Sequence, residues 1–125
     1  MTNAPEKLSL AKDHLDRVLA ARDEPTDWKD LSVYGFSCLE AAVDAVSMHI
    51  GSPTRRDHTN REHAAKEFHD RFGLPDVSGL LNELNDARKS ELYGDVPAPD
   101  LDAEDVASSI ETYVNAVAQL LATDP

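Results

Sequence analysis

The sequence predicts an all-α protein, an antiparallel four-helix up-and-down bundle with one additional short helix, folded as a single domain over residues 1–125. Three observations lead there. Apolar residues recur at spacings of three and four along successive stretches of the chain. Turn signals separate those stretches: Pro25, Gly51-Ser52-Pro53, Gly73-Leu74-Pro75, and Gly94 with Pro97 and Pro99. No run alternates apolar and polar residues as a half-buried strand would. Short connections between amphipathic helices favour antiparallel neighbours.

The first helix is placed at Pro5–Arg22. Asn3 can cap it, Glu6 can complete a capping box, and Pro5 is tolerated in the first turn. Leu8, Leu15, Val18 and Leu19 form its apolar stripe. Thr26 or Asp27 caps the second helix, which runs to Ile50 and is apolar around nearly its whole circumference from Val33 onward. Such a helix packs on several sides at once. Its small residues Gly35, Ser37, Ala41, Ala42 and Ala45 let neighbours approach closely.

Thr59-Asn60-Arg61-Glu62 reads as a capping box opening a third helix with a modest apolar face of Ala64, Phe68 and Phe72. Asp76 or Ser78 caps the fourth helix, and Gly94 supplies its left-handed end. In the fifth, Asp102, Glu104 and Asp105 put negative charge where the helix dipole favours it. Val106, Ile110, Tyr113, Val114, Val117 and Leu120/Leu121 make its stripe.

Charge narrows the partners. The chain carries a net −12, distributed as −4 over residues 1–50, +1 over 51–75 and −9 over 76–125. Such a surface repels phosphate backbones, so general nucleic-acid binding is disfavoured and a basic protein partner fits better. The single Cys38 lies in an apolar run and reads as a buried free thiol, as suits a cytoplasmic protein. No signal peptide is visible, and Glu40, Asp44 and His49 interrupt the most apolar stretch, so no membrane association is expected.

The histidines offer no metal site. His58, His63 and His69 are spaced at five and six, off a common helical face, and no cofactor is expected. Neither a nucleophile elbow nor a phosphate-cradling glycine loop is present. The informative residue is Arg88. It shares the apolar face of the fourth helix with Leu81, Leu84 and Leu92, and a guanidinium there must be paired or must reach water. Glu91, Asp95 or an acid on another helix would anchor it structurally. Alternatively, a groove would present its planar fork to a bound oxyanion.

The stretch Tyr34-Gly35-Phe36-Ser37-Cys38-Leu39-Glu40-Ala41-Ala42-Val43-Asp44-Ala45, the triplet Arg56-Asp57-His58, and Leu80–Asp95 with Leu84, Arg88 and Tyr93-Gly94-Asp95 follow one another in an order that resembles the HEPN domain. HEPN domains are small helical domains of prokaryotic toxin–antitoxin and defence systems. The resemblance covers nearly the whole chain at the level of helix order. It implies the bundle fold, a homodimer, and in active members metal-independent RNA cleavage by an Arg followed within a few residues by a His. Arg88 matches that Arg, but Lys89-Ser90-Glu91-Leu92-Tyr93-Gly94-Asp95 contains no His. Tyr93 stands in its place, and a phenol with an ordinary pKa of about 10 is a poor base at neutral pH.

The expectation is therefore a non-catalytic bacterial HEPN-like module acting through protein contacts, as a homodimer or beside a partner such as a nucleotidyltransferase. Arg88, Tyr93, Asp57, His58 and Tyr34 would line its groove. The alternatives are a ribonuclease built from Arg88, Tyr93 and a histidine from elsewhere (His58 or His63), with RNA as substrate only in that case, and a small-molecule or nucleotide-binding bundle with Arg88 as anion anchor.

Overall fold

A computed structural model describes residues 3–23, 25–51, 58–94 and 100–123, with the side chains of residues 58 and 59 outside the description. Five helices account for nearly all of them: α1 (Ala4–Arg22), α2 (Trp28–His49), α3 (His58–Phe72), α4 (Ser78–Tyr93) and α5 (Ala103–Thr123). Among the described residues there is no strand, and the all-α expectation holds.

The helix ends follow from local chemistry. Asn3 Oδ1 accepts from the Glu6 backbone N–H at 2.9 Å, and α1 opens at Ala4, one residue earlier than expected. Asp27, not Thr26, caps α2, accepting from the Asp30 N–H at 3.1 Å. Thr26 instead donates its hydroxyl to the Arg22 carbonyl at 3.1 Å, finishing α1. The third helix corrects the sequence reading. It begins at His58, so Thr59 lies inside the first turn and is not the cap of a Thr59–Glu62 box.

At α4 the cap position belongs to Val77, which has no side-chain acceptor. Asp76 Oδ1 takes both the backbone N–H (3.0 Å) and the hydroxyl (2.6 Å) of Ser78 instead. Those two bonds, hydroxyl first, hold the Asp76 carboxyl below its usual range. Gly94 (φ 72°) closes α4 in the left-handed region, its N–H reaching the Ser90 carbonyl at 3.0 Å. Asp102 caps α5 through the Asp105 N–H at 3.0 Å.

α2 is the hub. It packs against each of the other four helices, while α1 also meets α5, and α3 meets α4. Leu31, Leu39, Val43 and Val46 are fully buried on it, each contributing roughly 1.5–3 kcal/mol. α1 runs antiparallel to α2, because Arg17 reaches Tyr34, Ala11 faces Cys38 and Lys7 faces Asp44. Gly35 marks a close approach. A methyl there would come within 3.0 Å of Ile110 Cδ1 and 3.4 Å of Leu84 Cδ1, so α2, α4 and α5 meet over a missing side chain.

By length and composition α2 would also suffice to cross a membrane, and in this fold it is mostly buried among its neighbours. Glu40 and Asp44, the acids within its apolar stretch, are both paired to Arg61.

Candidate functional site around Arg88

α4 buries Leu81, Leu84, Asn85 and Ala87 against the core, but its last turn leaves it. Leu92 is 43% exposed and Tyr93 69% exposed, two of the three large apolar side chains that stand out among the described residues. Arg88 sits where the helix passes from core to surface. Its Nη2 donates to Asn85 Oδ1 at 2.8 Å, one turn back on the same helix, and its guanidinium carbon lies 5.1 Å from the centre of the Phe36 ring. Asn85 is only 7% exposed, so this acceptor is fixed by packing.

Neither partner is charged. Among the described residues no carboxylate pairs with Arg88; Glu91 is exposed and unbonded to it, and Asp95 lies outside the described residues. Nε is buried without an acceptor, and no described residue accepts from Nη1. Arg88 as a whole is half-buried, with its Nε facing the interior and Nη2 engaged by Asn85. Its planar fork suits a carboxylate or another planar oxyanion.

The other expected site residues divide. Tyr93 lies five residues beyond Arg88, as the last residue of α4. Tyr34 does not join them: it packs on α1, taking a hydrogen bond from Arg17 at 3.2 Å and lying 5.8 Å from the His14 ring. Residues 34 and 36 project about 200° apart on a helix, so Tyr34 and the Phe36–Arg88 pair occupy different sides of α2. Burial, reinforced by Arg17, lowers the His14 pKa. Asp57 lies outside the described residues, and of His58 only the backbone position, at the start of α3, is described. His63 lies on an open groove of about 570 Å³ between α3 and α4, shared with Lys66, Ser78 and Asn82. Among the described residues no three metal-ligating side chains converge.

A second charged cluster escaped the sequence reading. Arg61 grips Asp44 through Nε–Oδ1 (3.0 Å) and Nη2–Oδ2 (2.9 Å), and Glu40 through Nη1–Oε2 (3.0 Å). Lys7 Nζ stands 3.8 Å from Asp44 Oδ2. The bond to Asp44 raises the Arg61 pKa further. The available signal was a pair of acids four residues apart on a helix otherwise apolar all round. No protein-family model matches the chain, and no curated protein matches its sequence.

Proposed function

We propose that this chain is a HEPN-like module without catalytic activity that works through protein–protein contact at the C-terminal end of α4. In this reading α1, α2, α4 and α5 form the antiparallel four-helix bundle and α3 is the additional helix. The module acts in the bacterial cytoplasm as a homodimer or beside a toxin–antitoxin or defence partner such as a nucleotidyltransferase.

One observation carries the reading. Arg88 is held in place by two uncharged groups, Asn85 and Phe36, has no carboxylate partner among the described residues, and lies one turn before exposed Leu92 on a helix that ends at exposed Tyr93. In a chain with 24 acidic residues, an arginine without a described acidic neighbour is available to an acid from outside. Exposed apolar side chains beside it supply area for a contact. The −9 charge of residues 76–125 supports a protein carboxylate over a polyanion. Light scattering at micromolar concentration tests the dimer directly. The expected result is a dimeric mass that Arg88→Glu reduces to the monomer; a monomeric wild type removes the homodimer from the proposal.

A second reading, the metal-independent ribonuclease, is favoured by register. His58 opens α3 one turn before Arg61, and Arg61 binds Glu40, one turn along α2 from Phe36. Arg88 and the start of α3 thus approach neighbouring turns of α2. RNA cleavage that requires both Arg88 and His58 would replace the first reading with this one.

A further inference from the structure

The stripe that α4 turns to the core outruns the core. Leu81, Leu84, Arg88 and Leu92 follow at steps of three, four and four, with Glu91 three beyond Arg88. All five fall within about 100° of the helix circumference. Burial falls along them: Leu81 and Leu84 are 1% and 0% exposed, Arg88 is half-buried, and Leu92 is 43% exposed beside an exposed Glu91. The last turn of α4 carries its core-facing stripe past the surface that covers the earlier turns.

Two opposite charges on that stripe have no ion pair. Among the described residues no carboxylate meets Arg88, and no basic group meets Glu91. Their positions differ by about 4.5 Å along the helix axis. A stripe with one base and one acid so spaced is complementary to itself. A second α4 laid antiparallel across it, with a two-fold axis level with the 89–90 peptide, sets position 88 of each copy opposite position 91 of the other.

Charge favours this place on the molecule. Residues 86–93 hold Asp86 and Glu91 against Arg88 and Lys89, a net charge of zero. The whole chain carries −12, so two copies repel over most of their surface. The end of α4 is a neutral strip on which they can approach.

We propose that α4 pairs with the α4 of a second copy through reciprocal Arg88–Glu91 bridges. Leu92 of each copy lies over the aliphatic stem of the other's Arg88. This rests on the protein-contact reading of Arg88 and names the acid that meets it. One self-complementary contact neutralises both arginines and covers both exposed leucines.

Sedimentation equilibrium of the full chain tests the pairing. The wild type dimerises, and Arg88→Glu and Glu91→Arg each weaken the dimer by about tenfold or more, because each opposes like charges at two symmetry-related places. An equimolar mixture of the two variants recovers association, since their heterodimer sets two bases on one copy against two acids on the other. The doubly substituted chain recovers it as well. Weakening by two folded variants, with no recovery in the mixture or the double variant, overturns the proposal. So does a wild-type dimer that Glu91→Arg leaves unchanged, and that result leaves the homodimer itself standing. Glu91 is exposed, so this arm does not depend on the folding of Arg88→Glu. A wild type that stays monomeric removes the pairing and the homodimer together.

Discussion

Replacing Arg88 by Met separates an arginine kept for a partner from one kept for stability. Met retains an unbranched apolar stem to cover Phe36 and deletes the guanidinium. Two favourable interactions disappear: the charged hydrogen bond to Asn85, roughly 1.5–3 kcal/mol, and the contact of a half-buried guanidinium over the buried Phe36 ring, roughly 1 kcal/mol. One penalty disappears with them. The buried, unpartnered Nε costs about 1–3 kcal/mol in the folded state. The net loss is then about 1 kcal/mol, a shift of the urea midpoint on the order of 0.5 M.

The buried Asn85 amide is left without its partner in that variant, so Asn85→Leu combined with Arg88→Met recovers wild-type stability or exceeds it. Removing one member of a buried ion pair costs about 3–5 kcal/mol instead. Equilibrium urea unfolding of the three proteins decides the matter. A loss of 3 kcal/mol or more for Arg88→Met, or no recovery in the double variant, refutes the reasoning.

Other positions give independent checks. The Tyr113 hydroxyl is fully buried without a hydrogen-bond partner, and burial raises its pKa; Tyr113→Phe is therefore expected to raise stability by about 0.5–1 kcal/mol in the same assay. Cys38 donates to the Ala11 carbonyl at 3.2 Å, and burial pushes its thiol up to about 12. Alkylation by iodoacetamide at pH 8 is expected to run more than about a thousandfold slower than in the urea-unfolded chain.

His14 has a folded-state pKa below its ordinary 6.5, from burial first and Arg17 second, against an opposing pull from Asp13. The unfolded chain thus binds the proton more readily, and stability is lost as pH falls through 6.5 toward the folded value. The urea midpoint of the wild type should drop more between pH 7.5 and 5.5 than that of His14→Gln.

The helices were legible because their ends carry local chemistry that acts within four residues. Asn3, Asp27, Asp102 and Gly94 each do what their residue type allows at a terminus. Thr59 misled for a related reason: a capping-box pattern is compatible with a first turn that starts one residue earlier. The position of Arg88 at the edge of an apolar face was equally plain, since it depends only on helical periodicity.

Its partners were not. An acid was the natural expectation, and the acceptor is a neutral side chain three residues back, made available by its own burial. The contact with Phe36 depends on how α2 and α4 cross, which periodicity does not fix. Arg61 was hidden for the same reason, because its acids lie 17 and 21 residues away on another helix. Tyr34 does not share the groove with Arg88, because the 34–36 phase difference on α2 sends Tyr34 and Phe36 to different neighbours.

On the proposed function, Arg88 contacts a partner and does not cleave RNA. The direct measurement incubates purified chain and its Arg88→Ala variant with single-stranded RNA in the presence of a chelator. No cleavage above background is expected in either sample. Cleavage by the wild type that Arg88→Ala abolishes, at an unchanged melting temperature, would contradict it.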